Sequence, residues 1–394
     1  MCTRVRRDRR AGRRPPRARA LGGARPAPGR PRTRAVRHRP AGRRPDGALC
    51  CWYVGENPLA RLGDTWDSRW YTGIAAHGYG HRTLTFPDGA VQSDLAFFPL
   101  YPGLVRALTT LLPLTGPMAG LLVSWSAAAA AACGIHLVAD RLYGRRTATA
   151  LVVLWSVLPH SVVLTTAYTE PVMTALAAWS LYAVLGRRWL WAGALAACAG
   201  LTRPTGIAVA AAVGAAAAYA LWAGRGRGAW RIWAGAGIAP LGWAGFVLWV
   251  GVRRGDPLGG YLAVQDGWGS RFDFGAGAPD FVRRLLVRAE VLAFPVVMVV
   301  VAVALVLFAL LLLEDRPPLP LLVYPAVLLL ITVGGSGFFE SKARFLLPAF
   351  PLLLPLAHAM AKARPRTAVV VTAALAGLSL GYGAYLVTIA PVPW

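Results

Sequence analysis

The sequence predicts an all-α protein, a polytopic membrane helix bundle of about 10–11 spans. Of its 394 residues, 56% are hydrophobic, and the mean hydropathy is positive, which is unusual for a soluble domain. Several uncharged runs exceed roughly 18 residues, the length that a helix needs to cross a bilayer. Beyond the N-terminal region, basic residues lie mainly in short loops between these runs, a distribution typical of multi-pass membrane proteins.

The N-terminal segment, residues 1–47, consists almost entirely of Arg, Ala, Pro and Gly. Such a composition cannot bury a core and predicts disorder. Seventeen of the 42 basic residues lie in the first 50 positions, so the net charge of +25 does not indicate a nucleic-acid-binding surface. Two interpretations stay open: a basic tail on an anionic leaflet, or a string translated from a wrong start or frame, which we favour. Residues 48–394 are expected to form one transmembrane domain.

The transmembrane domain begins with a first outer loop, residues 60–102, that is rich in aromatic and acidic residues. It contains WDSRWYTGIAAHGYG at 66–80 and continues as SDLAFFPLYPGL at 93–104. Prolines break the passage that follows, so 96–112 is predicted as a pair of short interfacial helices. Ten spans are expected after it, at about 116–139, 147–166, 170–186, 188–203, 205–224, 231–252, 289–313, 318–334, 344–361 and 367–389.

Loops with basic residues alternate along the chain, and this alternation predicts the topology. The loops expected in the cytoplasm carry basic residues within 141–146, 187–188, 225–231 and 362–366, and at Arg316. The loops expected on the other side of the membrane, together with the first outer loop, are 165–170, 201–206, 253–288 and 334–345. An Arg-rich N-terminus would then require one more span before Trp66, which the sequence does not show. We therefore expect a multi-pass cell-membrane protein with its site on the non-cytoplasmic face.

Asp67 is the candidate reactive carboxylate, because it lies among aromatic residues in the first outer loop. Spacing alone does not decide between a reactive group and a helix cap, a role that Asp67 or Asp64 could fill. His77 is a lone histidine and could simply lie at the interface. Glu170 begins a predicted span, where the helix dipole favours an acid whatever its function.

The basic candidates also lie at the predicted outer ends of spans. Arg203 needs a partner or water there, or else extends its side chain to the surface. Arg344 follows Glu340 and Lys342 and leads into the apolar stretch FLLPAFPLLLPLA. A guanidinium at the mouth of such a groove can hold a lipid phosphate, because it forms forked bonds to phosphate oxygens. The alternative is an interfacial charge cluster in which Glu340 neutralises one of its neighbours.

The sequence lacks the motifs of several common classes of enzyme and pump. We find no Walker loop, Rossmann fingerprint, HExxH, GxSxG or CxxC pair in a credible setting, which argues against a nucleotide-driven pump or a metalloprotease. The five cysteines show no metal-binding spacing. A site on the outer face that handles a lipid-linked molecule is what remains.

The first outer loop resembles that of a known family. WDSRWYTGIAAHGYG, followed by a connector and DLAFFPLYP, is similar to the PIG-V family of mannosyltransferases, part of the GT-C superfamily of polytopic glycosyltransferases, including its actinobacterial relatives. LPHSVVLTTAYTEPVMTAL at 158–176 and GLTRPTG at 200–206 resemble the family's Tyr-x-Glu and Arg-x-x-Gly segments. The resemblance spans about 60–360. The chain departs from the family in lacking a helix before the Trp-Asp motif and any second acid in the connector beyond Asp88 and Asp94.

The resemblance implies a fold and a reaction. The fold is a GT-C bundle of about eleven helices with short interfacial helices in the first outer loop. The reaction transfers a hexose, typically mannose, from a polyprenyl-phosphate sugar to a hydroxyl of a glycolipid or cell-surface glycan, with inversion. Because a lipid phosphate leaves readily, the transfer needs mainly a base for the hydroxyl and a cation for the phosphate. The implied partners are these two substrates and the bilayer, and no nucleic acid.

Roles for individual residues follow from the same resemblance. Asp67 is the implied base and Asp94 the second candidate. Arg203 and Arg344 would contact the phosphate, and Glu170 the hydroxyls of sugar or acceptor. The implied substrate-binding residues are Trp66, Trp70, His77, Phe97, Tyr168, Glu170, Arg203, Lys342 and Arg344. No cofactor is certain; a divalent cation beside Asp67 and Asp94 is conceivable, but no spacing demands it.

Two other functions stay open at this stage. A transporter or flippase of a lipid-linked precursor would also need many helices and a polar outer groove. It predicts ionisable groups near mid-membrane and a repeat between the halves of the chain, and neither is clear in the sequence. A scaffolding subunit is the third hypothesis.

Overall fold

The computed structural model of the chain describes residues 58–87, 89–224, 229–277, 279, 283, 291–314 and 317–390. These residues all lie in one compact unit. The predicted tail at 1–47, the acid Asp88, and the loop arginines Arg225, Arg227 and Arg316 lie outside the described residues, as does most of the stretch 278–290.

Helices carry the fold throughout the part of the chain that the structure describes. Three of them lie in or beside the first outer loop: α1 (Pro58–Gly63), α2 (Ser68–His77) and α3 (Leu100–Leu111). The others are α4 (Gly116–Tyr143), α5 (Arg145–Ser156), α6 (Glu170–Leu185), α7 (Trp189–Gly200), α8 (Ile207–Trp222), α9 (Ala229–Ile238), α10 (Leu241–Arg253), α11 (Gly260–Gly267), α12 (Ala293–Leu312), α13 (Leu319–Gly334), α14 (Lys342–Phe345), α15 (Leu354–Lys362) and α16 (Pro365–Thr388).

Among the described residues, five helical stretches are long and apolar enough to cross a membrane, which confirms the predicted all-α, multi-pass class. They are Gly116–Tyr143, Pro204–Trp222, Ala229–Arg253, Ala293–Leu312 and Pro365–Thr388. A sixth candidate is the pair Phe339–Phe345 and Phe350–Lys362, whose halves are bent by 75°. Three shorter apolar helices, α6, α7 and α13, accompany them.

Three of the predicted spans are interrupted, and a proline lies at each interruption. The mildest is the turn at Pro240 between α9 and α10, within the predicted span at 231–252. The predicted span at 147–166 ends as a helix at Ser156, and a 3-10 turn, Ser161–Thr165, follows Pro159. The predicted span at 344–361 is the bent pair, with Pro348 in its break and Pro351 at the start of its second half. Proline lacks the backbone N–H and its ring clashes with the preceding turn, so an apolar run of sufficient length does not stay one straight helix.

In place of the predicted interfacial helix pair at 96–112, the structure has a single helix, α3, which is preceded by a 3-10 turn at Asp94–Ala96. The start of α3 is tied to the bundle because the Leu100 N–H donates to the Leu201 carbonyl at 2.9 Å. Farther along α3, the Tyr101 hydroxyl donates to the Gly120 carbonyl at 2.8 Å. The first outer loop is therefore anchored on α4 and on the turn between α7 and α8.

Two short antiparallel sheets complete the described elements. Strands β1 (Thr83–Thr85) and β2 (Val91–Ser93) form a hairpin within the first outer loop. Strands β3 (Arg271–Phe272) and β4 (Gly335–Ser336) join the loop after α11 to the loop after α13. The second pairing connects two loops that the topology prediction assigns to the same side of the membrane.

The helices of the bundle approach closely where glycines face each other. A Cβ on Gly193 of α7 would collide with the backbone carbonyl of Gly235 in α9, and one on Gly242 of α10 would collide with the carbonyl of Ala197. Small residues allow this contact between backbones, which is typical of helix packing in membranes.

The two ends of helix α6 mark two different regions of the bundle. Glu170 begins the helix beside Arg203, while Arg187, which follows its other end, lines a cavity of about 750 Å³ with Arg231 and Pro318. A 16-residue helix is roughly 24 Å long. Loops predicted to be cytoplasmic thus meet at one end of α6, and loops predicted to face outward meet at the other.

Candidate active site

Asp67 lies at the start of α2, but it does not cap that helix. Its backbone is helical, with φ −64° and ψ −29°, and its side chain makes no capping hydrogen bond. The carboxylate instead pairs with Arg344, whose Nη1 lies 2.7 Å from Oδ2. The Asp67 side chain keeps 22% of its surface exposed, so the carboxylate is reachable from outside. Of the two roles that the sequence left open, the structure gives no support to the cap.

The residue before Asp67 has a strained backbone. Trp66 has φ 31°, in the left-handed region that bulky residues rarely adopt, and the strain costs about 1–3 kcal/mol. The turn is held by the Ser68 N–H, which donates to the Thr65 carbonyl at 2.8 Å. The Trp66 ring is 42% exposed, so this predicted substrate contact lies at the surface.

Glu170 is fully buried between two guanidinium groups. Its Oε1 lies 2.5 Å from Nη1 of Arg203 and 3.0 Å from Nε of Arg344, and only 1% of its side chain is exposed. Glu170 therefore holds the two arginines side by side. The contact with sugar or acceptor hydroxyls that the resemblance implies stays a prediction.

Arg344 and Arg203 are buried cations, each with 9% of its side chain exposed. The sequence also allowed an Arg203 side chain that extends to the surface, and the structure does not show that conformation. The Arg344 guanidinium also lies 5.0 Å from the Tyr168 ring centroid, and the Arg203 guanidinium 5.2 Å from that of Phe345. Buried charges are stable only when paired, and aromatic faces add to that stabilisation.

Together these side chains form a continuous ion network, Asp67–Arg344–Glu170–Arg203. Two carboxylates balance two guanidiniums, so the network is neutral as a whole. Asp67 belongs to the first outer loop and Glu170 to the start of α6. Arg203 lies in the turn before α8, and Arg344 lies in α14. Removing any one of them would leave an uncompensated charge in the bundle.

An aromatic cluster joins the first outer loop to the loop after α11. Trp70 stacks on Phe97 with ring centroids 5.4 Å apart, and Trp268 packs edge-on against both at 5.0 and 5.3 Å. The Arg82 guanidinium covers the Trp70 ring at 4.3 Å. Trp70 and Phe97 were predicted substrate contacts, and the structure shows that they pack against each other.

Tyr71 connects the aromatic cluster to the ion network. Its ring packs edge-on against Phe97 at 5.2 Å, and its hydroxyl lies 3.4 Å from Oγ1 of Thr169, the residue before Glu170. Burial and the nearby Asp67 carboxylate raise the pKa of Tyr71, so the phenol stays protonated at neutral pH.

Asp94, the second catalytic candidate, has a different environment from Asp67. Its Oδ2 accepts backbone N–H groups of Gly80, His81 and Arg82 at 2.8, 3.1 and 3.2 Å, and only 1% of the residue is exposed. The carboxylate thus holds the connector that follows α2. Oδ2 accepts three backbone N–H groups and the Ser93 hydroxyl lies 3.4 Å from Oδ1, an arrangement typical of a structural aspartate.

Two other predicted substrate contacts, His77 and Lys342, also have local partners. His77 is exposed in the last turn of α2, with Nδ1 3.3 Å from the Gly73 carbonyl. Lys342 donates through Nζ to the Gly335 carbonyl at 2.7 Å and lies 4.4 Å from the Phe339 ring centroid. The structure therefore brings together Asp67, Tyr168 and the three remaining charged candidates, but not these two.

Sequence reasoning missed Trp268 and Tyr71. Trp268 lies in the long loop after α11 and donates through Nε1 to the Ser93 carbonyl at 3.0 Å, which fixes it against the first outer loop. No local pattern marks a single tryptophan in a loop as part of a distant cluster. Tyr71 stands inside the Trp-Asp motif, and its position next to Trp70 was the available signal.

The residues that the structure describes contain no group of three or more His, Cys, Asp or Glu side chains placed to hold a metal ion. Asp67 and Asp94, the pair considered for a divalent cation, instead have an arginine and backbone amides as partners. The positive charge next to Asp67 is a guanidinium.

Solved structures share this fold. Two crystal structures of ArnT from Cupriavidus metallidurans, one in the apo state and one bound to undecaprenyl phosphate, each match with a TM-score of 0.50 at 17% identity. The match covers 88% of this chain and 65% of the ArnT chain, so this chain spans just under two thirds of that length. At such low identity the likeness concerns the fold alone, a polytopic bundle of helices like that of ArnT. No family model matches the chain, and neither does any curated protein.

Proposed function

We propose that this protein is a membrane glycosyltransferase of the PIG-V type, which transfers mannose from a polyprenyl-phosphate sugar to a hydroxyl of a glycolipid or cell-surface glycan. The observation that carries the proposal is the buried ion network, in which the partly exposed Asp67 lies 2.7 Å from Arg344. The transfer requires a base and a cation that receives the phosphate, and this network supplies both within one site.

The reaction is a single in-line displacement. The oxygen of the acceptor hydroxyl forms a bond to the anomeric carbon while the bond from that carbon to the phosphate oxygen breaks. The proton of the hydroxyl goes to Asp67, and the electron pair leaves with the polyprenyl phosphate. Attack from the face opposite the leaving group inverts the anomeric centre.

Arg344 is the proposed partner of the departing phosphate, and Arg203 supports it. A guanidinium presents several N–H groups in a plane and binds phosphate oxygens in a forked arrangement. Undecaprenyl phosphate is bound in one of the ArnT structures that share this fold, which supports a lipid phosphate as the donor class. Glu170 keeps the two guanidiniums next to each other.

The proposed site faces the non-cytoplasmic compartment. Glu170 and Arg203 lie at the end of the bundle where the predicted outer loops meet, and Arg187 and Arg231 lie at the end where the predicted cytoplasmic loops meet. The bias of basic residues toward cytoplasmic loops supports this orientation.

The test is a transfer assay with membranes that contain the full chain. Radiolabelled polyprenyl-phosphate-mannose is offered with a panel of glycolipid and glycan acceptors, and label is expected in an acceptor. Asp67→Asn should abolish transfer, whereas Asp64→Asn, three residues upstream in an exposed ion pair with Arg69, should not. Absence of transfer to every acceptor, with labelled donor crossing the membrane, would establish the transporter instead. Transfer only from another sugar would remove mannose from the proposal.

A further inference from the structure

Asp67, the proposed base, is already paired in the structure. Its Oδ2 is 2.7 Å from Nη1 of Arg344, so the cation covers one of the two carboxylate oxygens that could take the proton of an acceptor hydroxyl. The same guanidinium is the proposed partner of the donor phosphate. The Arg344 guanidinium therefore has two competing anionic partners, the Asp67 carboxylate and the phosphate of the lipid.

The two carboxylates that hold Arg344 differ in how easily they can be replaced. Glu170 is 1% exposed and is also paired with Arg203. Asp67 is 22% exposed, and Arg344 is its ion-pair partner. An anion that arrives from outside therefore meets the Arg344–Asp67 contact first and leaves the Arg344–Glu170 contact in place.

Among the described residues, Arg344 is the partner that the Asp67 side chain loses when it is released. The residue stands at the N-cap position of α2, but no capping hydrogen bond ties the carboxylate to the helix. The turn around it is held by the Ser68 N–H and hydroxyl, which both donate to the Thr65 carbonyl. The carboxylate can therefore leave Arg344 while α2 keeps its start.

We infer that Arg344 holds Asp67 until the phosphate of the lipid donor replaces it, so that donor binding itself uncovers the base. This inference rests on the proposed function. The sugar-linked phosphate carries one negative charge, so after the exchange Arg344 is still neutralised, and the freed carboxylate faces the site where the acceptor enters. Binding is consequently ordered, with the lipid donor before the acceptor.

The direct test measures how reactive Asp67 is toward a carboxyl-modifying reagent. The full chain, in nanodiscs, is treated with a water-soluble carbodiimide and an amine, with and without undecaprenyl phosphate, and labelling is read by mass spectrometry. This lipid carries phosphate and prenyl chain without the sugar, so the space beside Asp67 stays open to the reagent. We expect a several-fold rise in labelling of Asp67. Asp64 is the internal control, because its exposed pair with Arg69 should not respond.

A second measurement needs no chemical reagent. If the donor must bind first, an unreactive acceptor analogue inhibits uncompetitively with respect to the donor. Arg344→Gln is expected to label strongly at Asp67 without lipid and to show no further rise. If that variant does not fold, the comparison of the unmodified protein with and without lipid decides.

The outcomes separate this inference from the proposed function. Undecaprenyl phosphate that binds, measured by retention of the radiolabelled lipid, but leaves Asp67 labelling unchanged or lower overturns the exchange. Sugar transfer in the separate assay would then still support the glycosyltransferase. If the lipid does not bind, the exchange is overturned, and missing transfer would overturn the proposed function with it.

Discussion

Arg344 and Asp67 form an ion pair of 2.7 Å between α14 and the first outer loop, two parts of the chain that lie far apart in sequence. Glu170, 3.0 Å from the Nε of Arg344, fixes the other edge of the guanidinium. A single buried cation thus positions the proposed base on an outer loop relative to the helical bundle. The position of Asp67 relative to Glu170 therefore depends on this ion pair.

Asp67→Asn should remove transfer while leaving binding of the lipid donor intact. An amide of nearly the same shape cannot accept the proton of the acceptor hydroxyl, and loss of a general base typically costs about 10²–10⁴ in rate. Because Arg344 loses its carboxylate competitor, binding of undecaprenyl phosphate should not weaken. Turnover with labelled donor tests the loss of transfer, and equilibrium binding of undecaprenyl phosphate tests the retained donor binding. Weakened lipid binding together with near-normal turnover would contradict this role.

Arg344→Lys should raise the KM for the lipid donor. Lysine keeps one positive charge, but it cannot pair with Asp67 and Glu170 at once or bind phosphate in a forked manner. Loss of a charge-assisted hydrogen bond of about 1.5–3 kcal/mol corresponds to roughly a 10–100-fold increase. Steady-state kinetics at saturating acceptor measure it. Arg106→Lys is a suitable control, because that side chain donates to the Ala75 carbonyl in the same outer region.

Glu170→Gln should destabilise the folded protein more than any exposed acid in the outer loop. Two buried guanidiniums would lose their shared carboxylate, and breaking a buried pair in this way costs about 3–5 kcal/mol. Asp64→Asn breaks an exposed pair and should cost less than about 1 kcal/mol. Thermal unfolding of both purified variants in the same detergent compares them. Equal melting temperatures would show that Glu170 does not hold the arginines.

The fold was largely predictable because it follows from hydrophobic length. The apolar runs that became α4, α12 and α16 were recognised within a few residues, since long uncharged stretches have few other stable conformations in a bilayer. The interruptions after Ser156 and around Pro348 were not, because a run can be long enough and still be broken by proline.

The site was predictable only in part. Local motifs selected Asp67, Glu170, Arg203 and Arg344, and the structure brings all four into one network. Local spacing does not encode the contacts between distant segments of the chain. The sequence therefore could not show which of these residues pair, or that Glu170 is buried between arginines. Asp94 stands in an equally promising motif, yet its carboxylate binds backbone.

A pair of variants at Asp94 separates a catalytic carboxylate from a structural one. Asp94→Asn retains an oxygen that can accept the N–H groups of Gly80, His81 and Arg82, so transfer should remain within about tenfold of normal. Asp94→Leu leaves those three donors without their acceptor, at about 1–3 kcal/mol each, so the connector should open and its amides exchange faster with solvent. Transfer rates and hydrogen exchange at residues 80–82 are the measurements. If Asp94→Asn abolishes transfer as completely as Asp94→Leu while hydrogen exchange at residues 80–82 stays slow, Asp94 takes part in the chemistry. Asp67 would then share the role of base with Asp94.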